Sequence, residues 1–181
     1  MVALAVVVLV LVAGWAAFAY NGLVRRRNRV DSTWSDIDVL LRRRHDLVPN
    51  LVTTVAGYAA HEGTTLRALT NARAAALEAP DPAAKGVAET ALNDRVKSVF
   101  AVAEAYPNLK ASEAFVRLQE QLTQTEDGLE HARQFYNDAV YGYMNATQTL
   151  PTSLVAGLLG FRPRQYFQAA ASERGAVSAR P

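Results

Sequence analysis

Cysteine is absent from the 181-residue chain. Its absence excludes disulfides, thiolate zinc sites, iron–sulfur ligation and cysteine nucleophiles, and leaves no thiol to carry a lipid. Glycine and proline are few, at 10 and 7 residues, which disfavours a turn-rich β architecture and favours helix. Charge of one sign is lacking too, with 19 Lys and Arg against 17 Asp and Glu. A strongly basic nucleic-acid binder and an acidic tail are therefore excluded as readings of the whole chain. The length allows one domain, or a small domain with an appendage.

Charge is also missing locally. Met1 to Tyr20 contains no ionisable side chain except the closing tyrosine. A hydrocarbon core of ~30 Å needs about 20 apolar helical residues, so this stretch is long enough to span a bilayer. Trp15, Phe18 and Tyr20 gather at its end, where aromatic rings favour the headgroup level. Ala17-Phe18-Ala19 resembles a signal-peptidase site, but no basic segment precedes the apolar run and the run is long for a signal. Residues 1–20 are read as an uncleaved anchor. Arg25, Arg26, Arg27 and Arg29 follow at once, which places the remainder in the cytoplasm and the N-terminus outside. Beside a span, this run is a membrane flank rather than a nucleic-acid patch. Formal charge is +3 over residues 1–50, −4 over 51–150 and +3 over 151–181.

The rest carries the 3,4 spacing of packed helices. Leu23, Val30, Trp34, Ile37 and Leu41 mark a first stretch, and Val48, Leu51, Val55, Tyr58, Glu62, Thr65, Leu69, Ala72 and Ala76 a second, with an irregularity expected at Gly63. Leu92, Val96, Val99, Ala103 and Tyr106 form a weaker third. The clearest runs Phe115, Leu118, Leu122, Thr125, Leu129, Ala132, Tyr136, Ala139, Tyr143, Ala146, Leu150 and predicts a helix of about 40 residues. Breaks are expected at Asp46–Pro49, Pro80-Asp81-Pro82, Tyr106-Pro107 and Leu150-Pro151. The alternative at the first is a helix that only kinks at Pro49. The expected fold is all-α: a transmembrane helix continuing into an antiparallel up-and-down four-helix bundle over residues 21–150. An apolar and basic juxtamembrane segment over 151–168 and a disordered tail over 169–181 complete it.

Chemistry is sparse. His61-Glu62 begins like a zinc-protease motif, but Thr65 stands where the second histidine belongs. Walker, nucleophile-elbow and dinucleotide glycine motifs are absent. Asp38 and Arg42 have the spacing of an ordinary helix ion pair. Asp38, Asn50, Glu62, Arg73 and Asn137 lie near the seams and read as register-setting hydrogen-bond partners. No Glu-x-x-His pair supports a di-metal bundle. No catalytic, cofactor or metal residues are assigned.

Tyr20-Asn21-Gly22-Leu23-Val24, Arg27-Asn28-Arg29-Val30, Trp34-Ser35-Asp36-Ile37-Asp38-Val39, Asp46-Leu47-Val48-Pro49-Asn50-Leu51-Val52 and Gly57-Tyr58 with His61-Glu62 resemble the LemA family of bacterial membrane proteins. Ala103-Glu104-Ala105-Tyr106-Pro107-Asn108-Leu109-Lys110-Ala111, Phe115, Leu118-Gln119, Thr125-Glu126, Ala132-Arg133, Tyr136-Asn137, Tyr143, Gly160-Phe161 and Tyr166-Phe167 continue the resemblance in order. The resemblance implies one N-terminal membrane helix, a cytoplasmic helical bundle and no established catalytic activity. It also implies an accessory or scaffolding part beside another envelope protein, such as a membrane metalloprotease.

The expected function is thus a non-enzymatic scaffold in the inner membrane, without cofactor or nucleic acid and with self-association open. A ligand- or metal-binding bundle with a weak enzymatic role is the alternative. If helices alternate in direction, the fourth returns to the bilayer, about 60 Å long at 1.5 Å per residue. Residues 152–167 are then expected at the membrane surface. The interface set is Arg25, Arg26, Arg27, Arg29, Phe161, Arg162, Arg164, Tyr166 and Phe167. The alternative is that Leu158, Phe161 and Phe167 only cap the bundle's end.

Overall fold

A computed structural model describes residues 1–167; the expected disordered tail over 169–181 lies outside the described residues. Regular structure among these residues is helical throughout. The helices are α1 (Val2–Ala56), α2 (Gly63–Glu78), α3 (Pro82–Ala103), α4 (Pro107–Lys110), α5 (Glu113–Gln148) and α6 (Thr152–Leu158), with a 3₁₀ turn at Ala60–Glu62. They form two compact units, residues 1–36 with 134–164 and residues 37–133 with 165–167. Each is described in turn.

In the first unit, α1 opens with the one helix segment among the described residues that is long and apolar enough to cross a membrane. Leu4, Leu9, Leu11 and Phe18 are exposed, so none of the described residues covers this stretch. Further along, Ala19 and Leu23 become buried against Val155 and Ala156 of α6. Helix α6 ends in a Schellman turn: Gly160 takes a positive φ of 71° and the Phe161 N–H donates to the Ala156 carbonyl at 3.0 Å. A side chain would strain that left-handed position, and the turn brings Phe161 back against the same small cluster.

The second unit corrects the sequence reading at Pro49. The break expected at Asp46–Pro49 does not occur; α1 runs through the proline to Ala56. Proline has no N–H, so the His45 carbonyl, four residues back, loses its helical donor. The Arg73 side chain of α2 supplies one, its Nε donating to that carbonyl at 2.7 Å. A tertiary hydrogen bond therefore replaces the missing helical one. The break falls instead after Ala56, where the Tyr58 and Ala59 N–H groups both close on the Val55 carbonyl at 3.0 and 2.8 Å. Ala59 takes the inward place there and Tyr58 is exposed; the irregularity expected at Gly63 is a full break, and α2 starts at that residue.

Later boundaries follow capping chemistry. Asp81 accepts the Ala84 N–H at 2.9 Å and Pro82 occupies the first turn of α3. Pro107 starts α4, one turn long, and α5 begins only at Glu113, so the long helix expected between the breaks at Tyr106-Pro107 and Leu150-Pro151 is divided. The seam itself holds: Phe115, Leu118, Leu122, Thr125, Leu129 and Ala132 are all buried in this unit. Val48, Leu51, Val55, Leu69, Leu92, Val96, Val99, Leu109, Phe115 and Leu122 form one core cluster.

The proline repair is testable by thermal unfolding of the full chain in detergent, followed by circular dichroism. Arg73→Met is expected to cost about 1–3 kcal/mol, the cost of orphaning a polar group. In a Pro49→Ala background the new N–H satisfies His45, and the cost of Arg73→Met should shrink. An equal cost in both backgrounds would show that the carbonyl is not what Arg73 serves.

Candidate functional site

The two basic stretches of sequence meet within the first unit. Arg27 lies over the Phe161 ring at 5.7 Å, and Tyr20 meets the same ring edge-on at 5.9 Å. Arg164 pairs with Asp31 at 2.8 Å. Arg26 donates to the Gly142 carbonyl of α5 at 3.3 Å, and the Tyr143 hydroxyl donates to the Arg162 carbonyl at 2.8 Å. Burial raises the Tyr143 hydroxyl above the ordinary tyrosine value, against the lowering effect of Arg164 and Arg27; Asp31 adds to the rise. Arg25, Arg29 and the Arg162 side chain stay exposed. Leu154, Leu158 and Leu159 also face outward on and just after α6.

An open groove of ≈ 830 Å³ runs along this unit. Trp15, Phe18 and Leu23 line one end, and Arg25, Arg26 and Arg29 the other. Gly22 and Gly142 lie along it, and Asp138 is the acidic side chain among its lining residues.

The second unit holds a buried polar network. Arg44 is 1% exposed and Glu89 is 0% exposed. Arg44 Nη1 donates to Glu89 at 3.3 Å, and its Nη2 donates to Asn93 at 2.8 Å and pairs with Glu126. His45 Nε2 lies 2.7 Å from the other Glu89 oxygen, and Asn93 donates to Glu126 at 3.1 Å. Arg133 stands 4.0 Å from Glu126 and over the Phe167 ring at 5.1 Å. Glu89 and Asn93 are one turn apart on α3, so both reach the same guanidinium. The network offers ion pairing and hydrogen bonding to its own members. No group of three or more potential metal ligands occurs among the described residues.

Of the residues singled out in sequence, Arg27, Phe161, Arg162 and Arg164 come together with Arg25, Arg26 and Arg29 in the first unit. Tyr166 is exposed, and Phe167 is 3% exposed beneath Arg133 in the other unit. His61 is exposed, Glu62 accepts from the Tyr106 hydroxyl at 3.2 Å, and Asp38 pairs with Arg42 as its spacing implied. Sequence reading missed Arg44, His45, Glu89 and Glu126. Their signal was there: Arg44 falls one step past Leu41 and Ile37 on the inward 3,4 spacing, and Glu89 precedes Leu92, Val96 and Val99 on the same face.

The family model for the LemA family matches residues 33–180. The chain belongs to the LemA family. Two curated relatives, magnetosome proteins MamQ 1 and MamQ 2 of Paramagnetospirillum magneticum, are each 22% identical over 175 residues, which cover 82% of this chain and 64% of theirs. The chain thus spans less than two thirds of the length of these relatives. Membership and the apolar start of α1 make it a membrane-associated helical protein.

Glu89→Leu leaves the Arg44 guanidinium buried and under-paired, and is expected to cost about 3–5 kcal/mol in chemical unfolding. Adding Arg44→Met should recover part of that loss; no recovery would mean that Glu89 matters only by its packing. Tyr143 adds a pH signature. Its folded pKa lies above the unfolded value of 10.0, so its contribution is complete below that value and declines as pH rises past it. Stability should fall above about pH 10, and Tyr143→Phe should flatten the fall.

Proposed function

We propose that this LemA-family chain is a single-pass inner-membrane protein with its N-terminus outside and its helical domain in the cytoplasm. It acts as a non-enzymatic scaffold or accessory factor for another membrane or envelope protein, a metalloprotease being one such partner. The observation that carries the reading is the continuity of α1, which runs without a break from the apolar stretch through Arg25–Arg29 into the helical domain. A partner bound to the domain would thereby be fixed to the bilayer through one helix. The long helices of residues 37–133 are proposed to run up and down as an antiparallel four-helix bundle, joined by short connections.

Arg25, Arg26, Arg27 and Arg29 support the orientation, since cations flanking a span stay on the cytoplasmic side. Residues 152–166 are proposed to lie at the same leaflet. Support comes from the packing of α6 and Phe161 on residues 19–27, and from the outward Leu154, Leu158 and Leu159 beside Arg162. Each arginine near an anionic surface contributes about 1 kcal/mol. Phe167 is not part of this proposed surface, because it packs under Arg133. A ligand-binding role is the second reading; it rests on the buried Nε and Nη2 of Arg133, which have no hydrogen-bond partner among the described residues.

A reporter active only in the cytoplasm, fused after Pro181, is expected to be active, and one active only outside should be silent. The reverse pattern would overturn the orientation, and release of a soluble domain after residue 19 would make the apolar run a signal. Capture of the detergent-extracted protein with a stoichiometric membrane protein supports scaffolding. A co-purified metal or small molecule would favour the second reading.

A further inference from the structure

The groove of the first unit has the polarity of one amphiphile. Trp15 to Arg29 spans ~21 Å of helix at 1.5 Å per residue, so the groove straddles the end of the apolar stretch at Tyr20. Trp15, Phe18 and Leu23 line its apolar end. Its polar end carries three arginines against one aspartate. Arg26 is held to the Gly142 carbonyl, whereas Arg25 and Arg29 are exposed with no carboxylate partner among the described residues. A fork of guanidinium donors matches a phosphate oxygen pair bidentately.

The geometry points to a site for one anionic phospholipid. Its phosphate sits between Arg25 and Arg29, and the first part of its acyl chain lies against the exposed Trp15 and Phe18. This rests on the membrane reading above and adds to it a defined stoichiometric site, distinct from a general attraction to the leaflet. Charge complementarity selects the occupant. A partner's apolar helix would leave two arginines facing hydrocarbon, where an unpaired charge is costly, while a zwitterionic lipid would leave the excess positive charge unmatched. The glycines keep the groove open: a methyl group built at Gly22 meets no atom within 4 Å, so a larger side chain there fills the groove without disturbing the fold.

The test uses the full chain, extracted in mild detergent and offered an equal mixture of phosphatidylglycerol and phosphatidylcholine. Native mass spectrometry counts the bound lipid. One tightly held phosphatidylglycerol is expected, favoured about tenfold over phosphatidylcholine, as one charge-assisted contact provides. Arg25→Gln with Arg29→Gln should abolish the preference. Gly22→Phe should displace the lipid at unchanged helicity, while Arg43→Gln, an exposed arginine elsewhere on α1, should keep it. Equal retention of both lipids, or a preference that survives Gly22→Phe, would overturn the site. So would a stoichiometric polypeptide found in place of the lipid. Sedimentation with membranes separates the two levels: a chain that leaves the membrane on carbonate washing defeats the membrane reading, and one that stays but holds no phosphatidylglycerol defeats only the site.

Discussion

Arg44 carries a guanidinium into the interior of the unit formed by residues 37–133, and the helices that supply its acceptors, α3 and α5, are tied to α1 through that charge. Removing such an ion from water costs several kcal/mol, which is offset only where acceptors meet it in good geometry. Glu89 and Asn93 come from α3 and Glu126 from α5, so sliding either helix by one turn would strand the charge. A packed core of Leu and Val tolerates small shifts more readily than this fork does. The network is therefore a device for register, and its net contribution to stability is small compared with what breaking it would cost.

The same short stretch of α1 governs a second helix. His45 faces Glu89 through its ring, and its carbonyl, vacated by Pro49, takes the Arg73 side chain of α2. Residues 44–49 thus touch α2, α3 and α5 by directed polar contacts, while Val48, Leu51 and Val55 supply the apolar ones. A helix that ended before Pro49 would lose the inward placing of Leu51 and Val55. The proline is tolerated because the partner it removes is replaced across the core.

The first unit obeys a different constraint, the change along one helix from an apolar to a charged surface. Leu4, Leu9 and Leu11 are exposed, whereas Ala19 and Leu23 are covered by Val155 and Ala156. Where cover begins, cationic side chains also begin. Phe161, turned back by Gly160, fills the corner between Tyr20 and Arg27. An aromatic ring suits that place because it offers an apolar body to one neighbour and a π-face to a cation.

Sequence by itself determined the apolar span, the helical class and the inward faces of the helices. Each of these follows from which residues avoid water and at what spacing, and the burial of Phe115 through Tyr143 along the 3,4 seam shows how far that rule reaches. It did not determine the fate of Pro49 or the partners of Arg44. A local rule gives proline a fixed penalty inside a helix, but the penalty depends on whether a distant donor reaches the orphaned carbonyl. Likewise an arginine in a helical repeat reads as solvated until its acceptors, on helices 45 and 82 residues away in sequence, are placed beside it. Asp38 and Asn50 lie near the same seams yet pair locally or face outward. Only the tertiary arrangement distinguishes them from Arg44, because hydrogen-bond satisfaction is a property of the folded neighbourhood and not of the residue's spacing.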